Sequence, residues 1–264
     1  NDLVRTIRKE YPKFCIFGET WVHNVPVQAY FAENNSIHPE HESILPGVTD
    51  FQLYYAINDA LSKEQGWTDG IAKMYFTLAQ DYVYKNPFNN VLFLDNHELS
   101  RYYSMVGEQM DKYKMGVAWL LTMRGIPMLY YGTEILMANY TDPDDSKVRE
   151  DFPGGWEGDK YNKFESSGRT REENQAFRYV RTLANYRRQN PVLQTGKLMQ
   201  FIPEDGLYVY FRYNDEKTVM VAMNCSEKSN ELNVDRFHER LWPFTSGTDV
   251  ISEEKVLLTK DLQM

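Results

Sequence analysis

The stretch Val91-Leu92-Phe93-Leu94-Asp95-Asn96-His97-Glu98 decides how the rest of the chain is interpreted. It opens with four apolar residues, a run that is typical of a strand buried on both faces. Side chains that can titrate or bind a ligand follow at once, namely Asp95, His97 and Glu98. Parallel barrels build their active sites on the residues that follow the carboxyl ends of their strands. The stretch therefore predicts a buried strand that leads into a site.

Two other apolar runs end in a carboxylate in the same way. Residues 14–17 lead into Glu19 and Trp21, and residues 126–131 lead into Glu134. Amphipathic helical patterns lie between these runs, and Phe51-Gln52 is expected to be a further short strand. Alternating strands and helices predict an α/β fold with a parallel sheet. Because the crossovers are right-handed, this sheet is expected to be either a closed barrel or an open doubly wound sheet.

The apolar period changes from helical to two after Asn190-Pro191. We therefore divide the chain into residues 1–190 and a small antiparallel β-domain at residues 191–264. The strands expected in this second domain are residues 207–213, 218–223, 231–234 and 255–258.

Charge and cysteine content limit the function classes. The 264-residue chain has a net charge of −9, which argues against nucleic acid and anionic membranes as partners. No apolar run of about 18 residues predicts a membrane span. Cys15 lies in an apolar run and is expected to be a buried free thiol. Since the sequence then shows no disulfide framework, the redox compartment and the localisation stay undetermined. The chain opens at Asn1 directly in a helical pattern, which suggests a cut from a longer sequence.

Paired carboxylates at strand ends suit glycoside hydrolysis. One carboxyl group must be protonated to donate to the leaving oxygen, and another must be ionised to meet positive charge at the sugar carbon. Glu19 would suit the acid role if partial burial raised its pKa. Each of the candidate residues also has a purely structural alternative to a catalytic role. Glu19 could be solvated in a loop, His97 could lie in the core, Glu98 and Arg101 could form a surface ion pair, and Glu134 could cap a helix.

The sequence does not match the spacing of known metal-binding or cofactor-binding motifs. His38, His41 and Glu42 lack the HExxH spacing, and the acidic run at residues 142–145 lacks the glycine and the glutamate of a calcium loop. No cofactor motif is evident, and no metal ligands are assigned.

Three motifs in order then resemble the α-amylase family, glycoside hydrolase family 13. Phe17-Gly18-Glu19-Thr20-Trp21 is similar to the motif of its fifth strand, Phe93-Leu94-Asp95-Asn96-His97-Glu98 to that of its seventh, and residues 125–134 to its eighth. Residues 151–156 resemble a loop of neopullulanase and cyclomaltodextrinase relatives. The resemblance implies the second half of a TIM (β/α)8 barrel, followed by a small antiparallel β-domain.

The resemblance also implies a function. It points to a retaining glycoside hydrolase acting on α-glucans such as starch, maltooligosaccharides, cyclodextrin or pullulan. Glu19 would be the acid/base and Glu98 the transition-state stabiliser. His97 would bind sugar hydroxyls, Trp21 would stack on a glucosyl ring, and Arg101 would orient Glu98.

Two departures qualify this expectation. The family's seventh-strand motif ends in Asp where this chain has Glu98, and the first- and fourth-strand motifs are absent, including the nucleophile. The isolated chain is therefore expected to be inactive, with the remaining strands supplied by the same parent chain or a partner. Any calcium site would depend on that missing half. The alternative is a non-catalytic relative that keeps the fold for glucan binding or partner assembly.

Overall fold

Four short parallel segments form the sheet of the first part of the chain. In this computed structural model, which describes residues 1–38, 40–242, 244–259 and 261–264, Gly18 bridges to Val48 and Thr49 bridges to Val91. Strand β1 (Val91–Leu92) then pairs in parallel with β2 (Ile126–Pro127). The segments lie side by side in chain order, as the predicted half barrel requires.

Nine helices accompany the strands in the described ranges. They are α1 (Asp2–Glu10), α2 (Val25–Tyr30), α3 (Phe51–Ser62), α4 (Ile71–Leu78), α5 (Tyr102–Met105), α6 (Met110–Thr122), α7 (Arg171–Gln189), α8 (Pro191–Thr195) and α9 (His238–Leu241). None of them is long and apolar enough to cross a membrane.

Polar side chains begin the main helices at defined places. The Asp50 carboxylate accepts a hydrogen bond from the backbone N–H of Leu53 and so starts α3 directly after the second parallel segment. At α7, Thr170 and Glu173 form a reciprocal capping box. The expected strand at Phe51-Gln52 is therefore wrong, because the Asp50 cap turns these residues into the first turn of α3.

The first parallel segment differs from its prediction. Phe14 and Phe17 are about half exposed, and Cys15 is exposed rather than buried. The segment contacts Val48 on one side, and no described strand lies on its other side. Its apolar residues therefore lie at a sheet edge, where burial depends on what covers the edge.

The remaining strands are antiparallel. β3 (Lys197–Gln200), β4 (Leu207–Tyr213) and β5 (Thr218–Asn224) form one sheet in that order, and two short pairs follow: β6 (Glu231–Leu232) with β9 (Leu262–Gln263), and β7 (Ser246–Thr248) with β8 (Lys255–Leu257). The four strands predicted from the period of two are confirmed, with shorter bounds at β6 and β8. The boundary at residue 190 stays a prediction.

Both faces of β4 are buried. Tyr208 and Tyr210 pack into the core that also contains Trp119 of α6, whereas Val209 and Phe211 pack around Phe237. The alternation follows from the pleat, which points successive side chains to opposite faces. One face of the antiparallel sheet thus packs on the core that contains Trp119, and the opposite face packs on a second core around Phe237.

Two buried arginines join the helical and antiparallel parts at the end of α6. Arg187 of α7 donates to the carbonyls of Leu121, Met123 and Gly125, and Arg212 of β4 donates to those of Thr122 and Met123. These donors satisfy carbonyls that a helix C-terminus leaves without intrahelical partners. The end of α6 is therefore held against β4 directly before β2 begins.

Candidate active site

A tight turn after β1 carries His97 and Glu98. The buried side chain of Asn96 accepts a hydrogen bond from the backbone N–H of Glu98 at 2.8 Å, which holds the turn. The His97 imidazole Nε2 lies 4.0 Å from a Glu98 carboxylate oxygen, and both side chains reach solvent. The structure thus presents these two predicted groups together at the carboxyl end of a parallel strand.

Asp95 lies beneath this turn and is buried. Its carboxylate accepts hydrogen bonds from the backbone N–H of Tyr102 at 2.9 Å and from the hydroxyl of Thr133. Burial raises the pKa of Asp95 to about 6, against the opposing effect of these hydrogen bonds and of the Arg101 charge. Asp95 therefore positions the turn and is not presented to a ligand.

The structure places Arg101 differently from the prediction. It is buried, its guanidinium donates to the Tyr131 carbonyl at 2.6 Å, and it lies 4.2 Å from the centroid of the Tyr130 ring. Over the described ranges, neither a hydrogen bond nor an ion pair joins it to Glu98. The predicted contact assumed a helical turn between the two residues, but α5 begins only at Tyr102.

Glu19 and Trp21 follow the first parallel segment. Thr20 between them bonds twice to Thr49, which fixes this stretch against the neighbouring segment. Glu19 is exposed, so the structure has the solvated alternative for this residue rather than partial burial, because its segment lies at the sheet edge. Trp21 is 46% exposed and donates its indole N–H to the Tyr55 hydroxyl at 2.6 Å.

An aromatic stack connects Trp21 to β1. The Trp21 ring lies parallel to Phe51 with centroids 4.9 Å apart, and Phe51 meets Phe93 edge-on at the same centroid distance. Both contacts have the geometry that aromatic pairs prefer. Trp21 is thereby held at the same end of the sheet as the turn with His97 and Glu98.

The long segment between β2 and α7 is anchored to this turn. The Arg149 guanidinium donates to the His97 carbonyl at 2.7 Å, and the Tyr131 hydroxyl donates to the Glu150 carbonyl at 2.7 Å. Sequence reasoning missed Arg149, Tyr55 and Thr133, because each acts through a partner at least 34 residues away that no local motif marks.

Glu134 lies in a short 3-10 helix, Thr133–Ile135, after β2. Burial raises the pKa of its carboxyl group. One of its oxygens and one Arg101 nitrogen are buried without a hydrogen-bond partner in the part of the chain that the structure describes. In the same ranges no group of three or more His, Cys, Asp or Glu residues is placed to hold a metal ion.

Comparison with known proteins agrees with this architecture. Residues 1–153 match the family described as alpha amylase, catalytic domain, and residues 198–264 match the cyclo-malto-dextrinase C-terminal domain. A cyclomaltodextrin glucanotransferase of Geobacillus stearothermophilus is 28% identical over 223 residues, which are 83% of this chain and 27% of that protein. A maltogenic alpha-amylase of Bacillus acidopullulyticus is 30% identical over 156 residues, 57% of this chain and 24% of the relative.

Solved structures show the same fold. CldA, a cyclomaltodextrin glucanotransferase with a three-domain ABC distribution, has a TM-score of 0.71 at 25% identity, covering 100% of this chain and 50% of CldA. The alpha-amylase of Geobacillus thermoleovorans complexed with acarbose has a TM-score of 0.73 at 20% identity, covering 100% of this chain and 54% of that one. The chain spans about a quarter of the length of these curated relatives. It belongs to the α-amylase catalytic-domain family, and its fold is the second half of a TIM (β/α)8 barrel followed by a small antiparallel β-domain.

Proposed function

We propose that this chain supplies one half of the active site of a retaining glycoside hydrolase acting on α-glucans. The observation that carries the proposal is the placement of Glu19 and of the His97–Glu98 pair after the ends of parallel segments of one sheet. Glycoside hydrolysis needs two carboxyl groups on either side of the scissile bond, held by a rigid scaffold.

The proposed roles follow from exposure and contacts. Glu19, exposed beside Trp21, donates a proton to the leaving oxygen, and Glu98 stabilises positive charge at the sugar carbon. His97 donates to sugar hydroxyls next to Glu98. Trp21 offers a ring face to a glucosyl unit, because Phe51 and Tyr55 hold it in place. The buried Arg101 guanidinium packs against the rings of Tyr130 and Tyr131 and so stabilises the carboxyl end of the parallel sheet.

The rest of the barrel completes the site. Phe14 and Phe17 at one edge, and Ile126 and Leu129 at the other, are exposed apolar residues that further parallel strands would cover. We propose that these strands come from the same parent chain or a partner and bring the nucleophilic carboxylate. The 264-residue chain alone then does not turn over maltooligosaccharides.

The test compares this chain with the parent protein as it occurs in its source. Release of reducing ends from maltoheptaose is expected only from the parent protein. Glu19→Gln is expected to lower that rate about 10²- to 10⁴-fold, the usual contribution of a general acid. Glu216→Gln, in the exposed turn between β4 and β5, is the matched control and leaves the rate unchanged. Hydrolysis by the chain alone, or full activity of the Glu19→Gln parent, contradicts the proposal.

A second candidate function rests on Glu98, which stands where the family motif has Asp. The side chain of Glu is one methylene longer than that of Asp, which displaces the carboxylate. Misplacement of a catalytic group by about 1 Å costs on the order of a hundredfold in the rate of hydrolysis. A non-catalytic member that binds glucan or assembles with a partner would tolerate this change. Hydrolysis by the wild-type parent protein, raised further in Glu98→Asp, favours the enzyme, whereas a wild-type parent that does not hydrolyse maltoheptaose favours the alternative.

A further inference from the structure

A groove of about 1470 Å³ opens between the helical part of the chain and the antiparallel sheet. Its walls are the connection between α3 and α4, the first turn of α6, and the turns at residues 203–206 and 224–230. None of the candidate active-site residues lines it. The groove exceeds the volume of about 300–1,000 Å³ typical of sites for single small molecules, so its size suits an extended chain.

Two aromatic side chains of this groove face solvent. Trp67 is 95% exposed and Phe76 is 49% exposed. Trp67 lies in a defined turn, in which the Gly66 N–H donates to the Asp69 carbonyl at 3.2 Å. Phe76 is braced by Tyr75, whose ring meets it nearly edge-on at 5.5 Å. An exposed indole of this kind offers a large flat face at little conformational cost to a ligand with an apolar face of its own.

The two walls of the groove are fixed to each other. The Gln65 side chain, next to Gly66, donates to the Pro203 carbonyl at 3.2 Å and accepts from the Gly206 N–H at 2.7 Å. The Gln200 side chain of β3 donates to the Tyr75 carbonyl at 3.0 Å. These bonds between α-helical and β-sheet parts preorganise the groove, which lowers the entropy lost on binding.

The charges around the groove are mixed. Lys63, Lys112 and Lys228 alternate with Glu64, Asp111 and Glu227, and Lys112 lies 3.9 Å from Glu227. A balanced lining does not favour a polyanion or a polycation. It offers hydrogen-bond donors and acceptors together, which suits a neutral ligand rich in hydroxyl groups.

We propose that this groove is a second binding site, for an α-glucan chain, with Trp67 as the stacking platform. The choice of an α-linked glucan rests on the proposed function, whereas the carbohydrate class follows from the aromatic face, the mixed polar lining and the large volume of the groove. Phe76 provides a second stacking contact along the same chain.

The test is a calorimetric titration of the 264-residue chain with maltoheptaose. Trp67→Ala is expected to lower the affinity about tenfold or more, as truncation of a central aromatic contact does. Trp67→Tyr keeps a ring face and is expected to retain most of the affinity. Trp242→Ala is the matched control, because Trp242 is 72% exposed, stacks on His238 and does not line the groove. Circular dichroism checks that each variant is folded.

The outcomes separate this site from the proposed active site. Binding that survives Trp67→Ala and is lost in Trp21→Ala overturns the groove proposal and leaves the proposed function standing. Binding lost only in Trp67→Ala, in a parent protein that does not hydrolyse maltoheptaose, supports the groove and counts against the proposed function. No binding by the folded wild-type chain at millimolar maltoheptaose, or equal binding of cellohexaose, overturns the assignment to α-glucan.

Discussion

The hydroxyl of Thr133 lies 3.0 Å from one oxygen of the Asp95 carboxylate and 3.1 Å from the other. Both residues are buried, and the contact joins the turn after β1 to the segment after β2. A buried carboxylate needs such donors, because an unpaired one loses its hydration without compensation. The contact therefore holds the turn that presents His97 and Glu98.

Removal of the Thr133 hydroxyl is expected to destabilise the fold. Thr133→Val leaves one of the two donors of Asp95 missing, and the free energy of unfolding should fall by about 1–3 kcal/mol. Thr133→Ser keeps the hydroxyl and should lose less than the valine variant. Urea unfolding at pH 7 measures both, and a Thr133→Val variant as stable as the wild type would contradict the role assigned to this contact.

Asp95 should give the stability a distinctive pH dependence. Its pKa is about 6 in the folded state, raised mainly by burial, against about 3.9 when unfolded. Between these values the folded state binds more protons than the unfolded state, so this group's contribution to stability falls as the pH rises from about 4 to about 6. Above that range the contribution is constant, at an overall loss on the order of 2–3 kcal/mol.

Asp95→Asn removes this titration and isolates it from the other carboxylates. The difference in unfolding free energy between wild type and Asp95→Asn should shift against the wild type by on the order of 2–3 kcal/mol between pH 4 and pH 7. Urea titrations at several pH values measure the difference. A difference that stays constant with pH would show that Asp95 does not titrate in this window.

A buried ion cluster under the sheet should be sensitive to loss of its cation. The Arg124 guanidinium lies 2.8 Å from an Asp50 oxygen and also donates to the Asp81 carboxylate at 2.8 Å. Arg124→Met leaves Asp50 buried without its charge partner, and we expect a loss of about 3–5 kcal/mol. Arg5→Met, which breaks the exposed pair with Glu42, should lose less than about 1 kcal/mol and is the control. Equal losses in thermal or urea unfolding would contradict this assignment.

Gly116 in α6 allows the close approach of Tyr102. A methyl group at Gly116 would overlap the Tyr102 hydroxyl, which donates to the Lys112 carbonyl at 2.8 Å. Alanine normally stabilises a helix interior by about 1 kcal/mol over glycine, but overpacking of about 1–3 kcal/mol should reverse the sign here.

Gly247 is the matched control for this prediction, because a methyl group there meets nothing within 4 Å. Gly247→Ala should change the free energy of unfolding by less than about 0.5 kcal/mol. In a Tyr102→Phe background the penalty of Gly116→Ala should shrink without vanishing, since the overlapping oxygen is gone but the ring carbon that bore it still lies 2.5 Å from the added methyl group. A Gly116→Ala variant more stable than the wild type would refute the steric argument.

Local sequence patterns were sufficient for much of the architecture. The apolar run before Asp95, the helical period of α6 and the period of two in β4 each depend on neighbouring residues only. The same holds for the positions of Glu19, His97 and Glu98 after strand ends. Local order therefore predicted a parallel α/β sheet, the β-domain and the end of the sheet at which these residues lie, whereas the half barrel was implied by the resemblance to the α-amylase family.

Exposure and pairing were decided by tertiary structure. An apolar run does not reveal whether its strand has one neighbour or two. Cys15 was therefore expected to be buried and is exposed, and of the two alternatives open for Glu19, partial burial and a solvated position, the structure has the solvated one. Arg101 was paired with Glu98 on an assumed helical turn, but it lies instead against the tyrosines after β2.

Sequence by itself determined the order of the main strands and helices and which chemical groups follow the parallel strands, because propensity, capping and periodicity act over a few residues. Only the tertiary structure decided that Thr133 meets Asp95, that Arg124 meets Asp50, and that Gln65 joins two walls of a groove. These partners are 38, 74 and 141 residues apart. Contacts at such separations arise from how whole elements pack, since burial requires each polar group to find a partner wherever the chain brings one near.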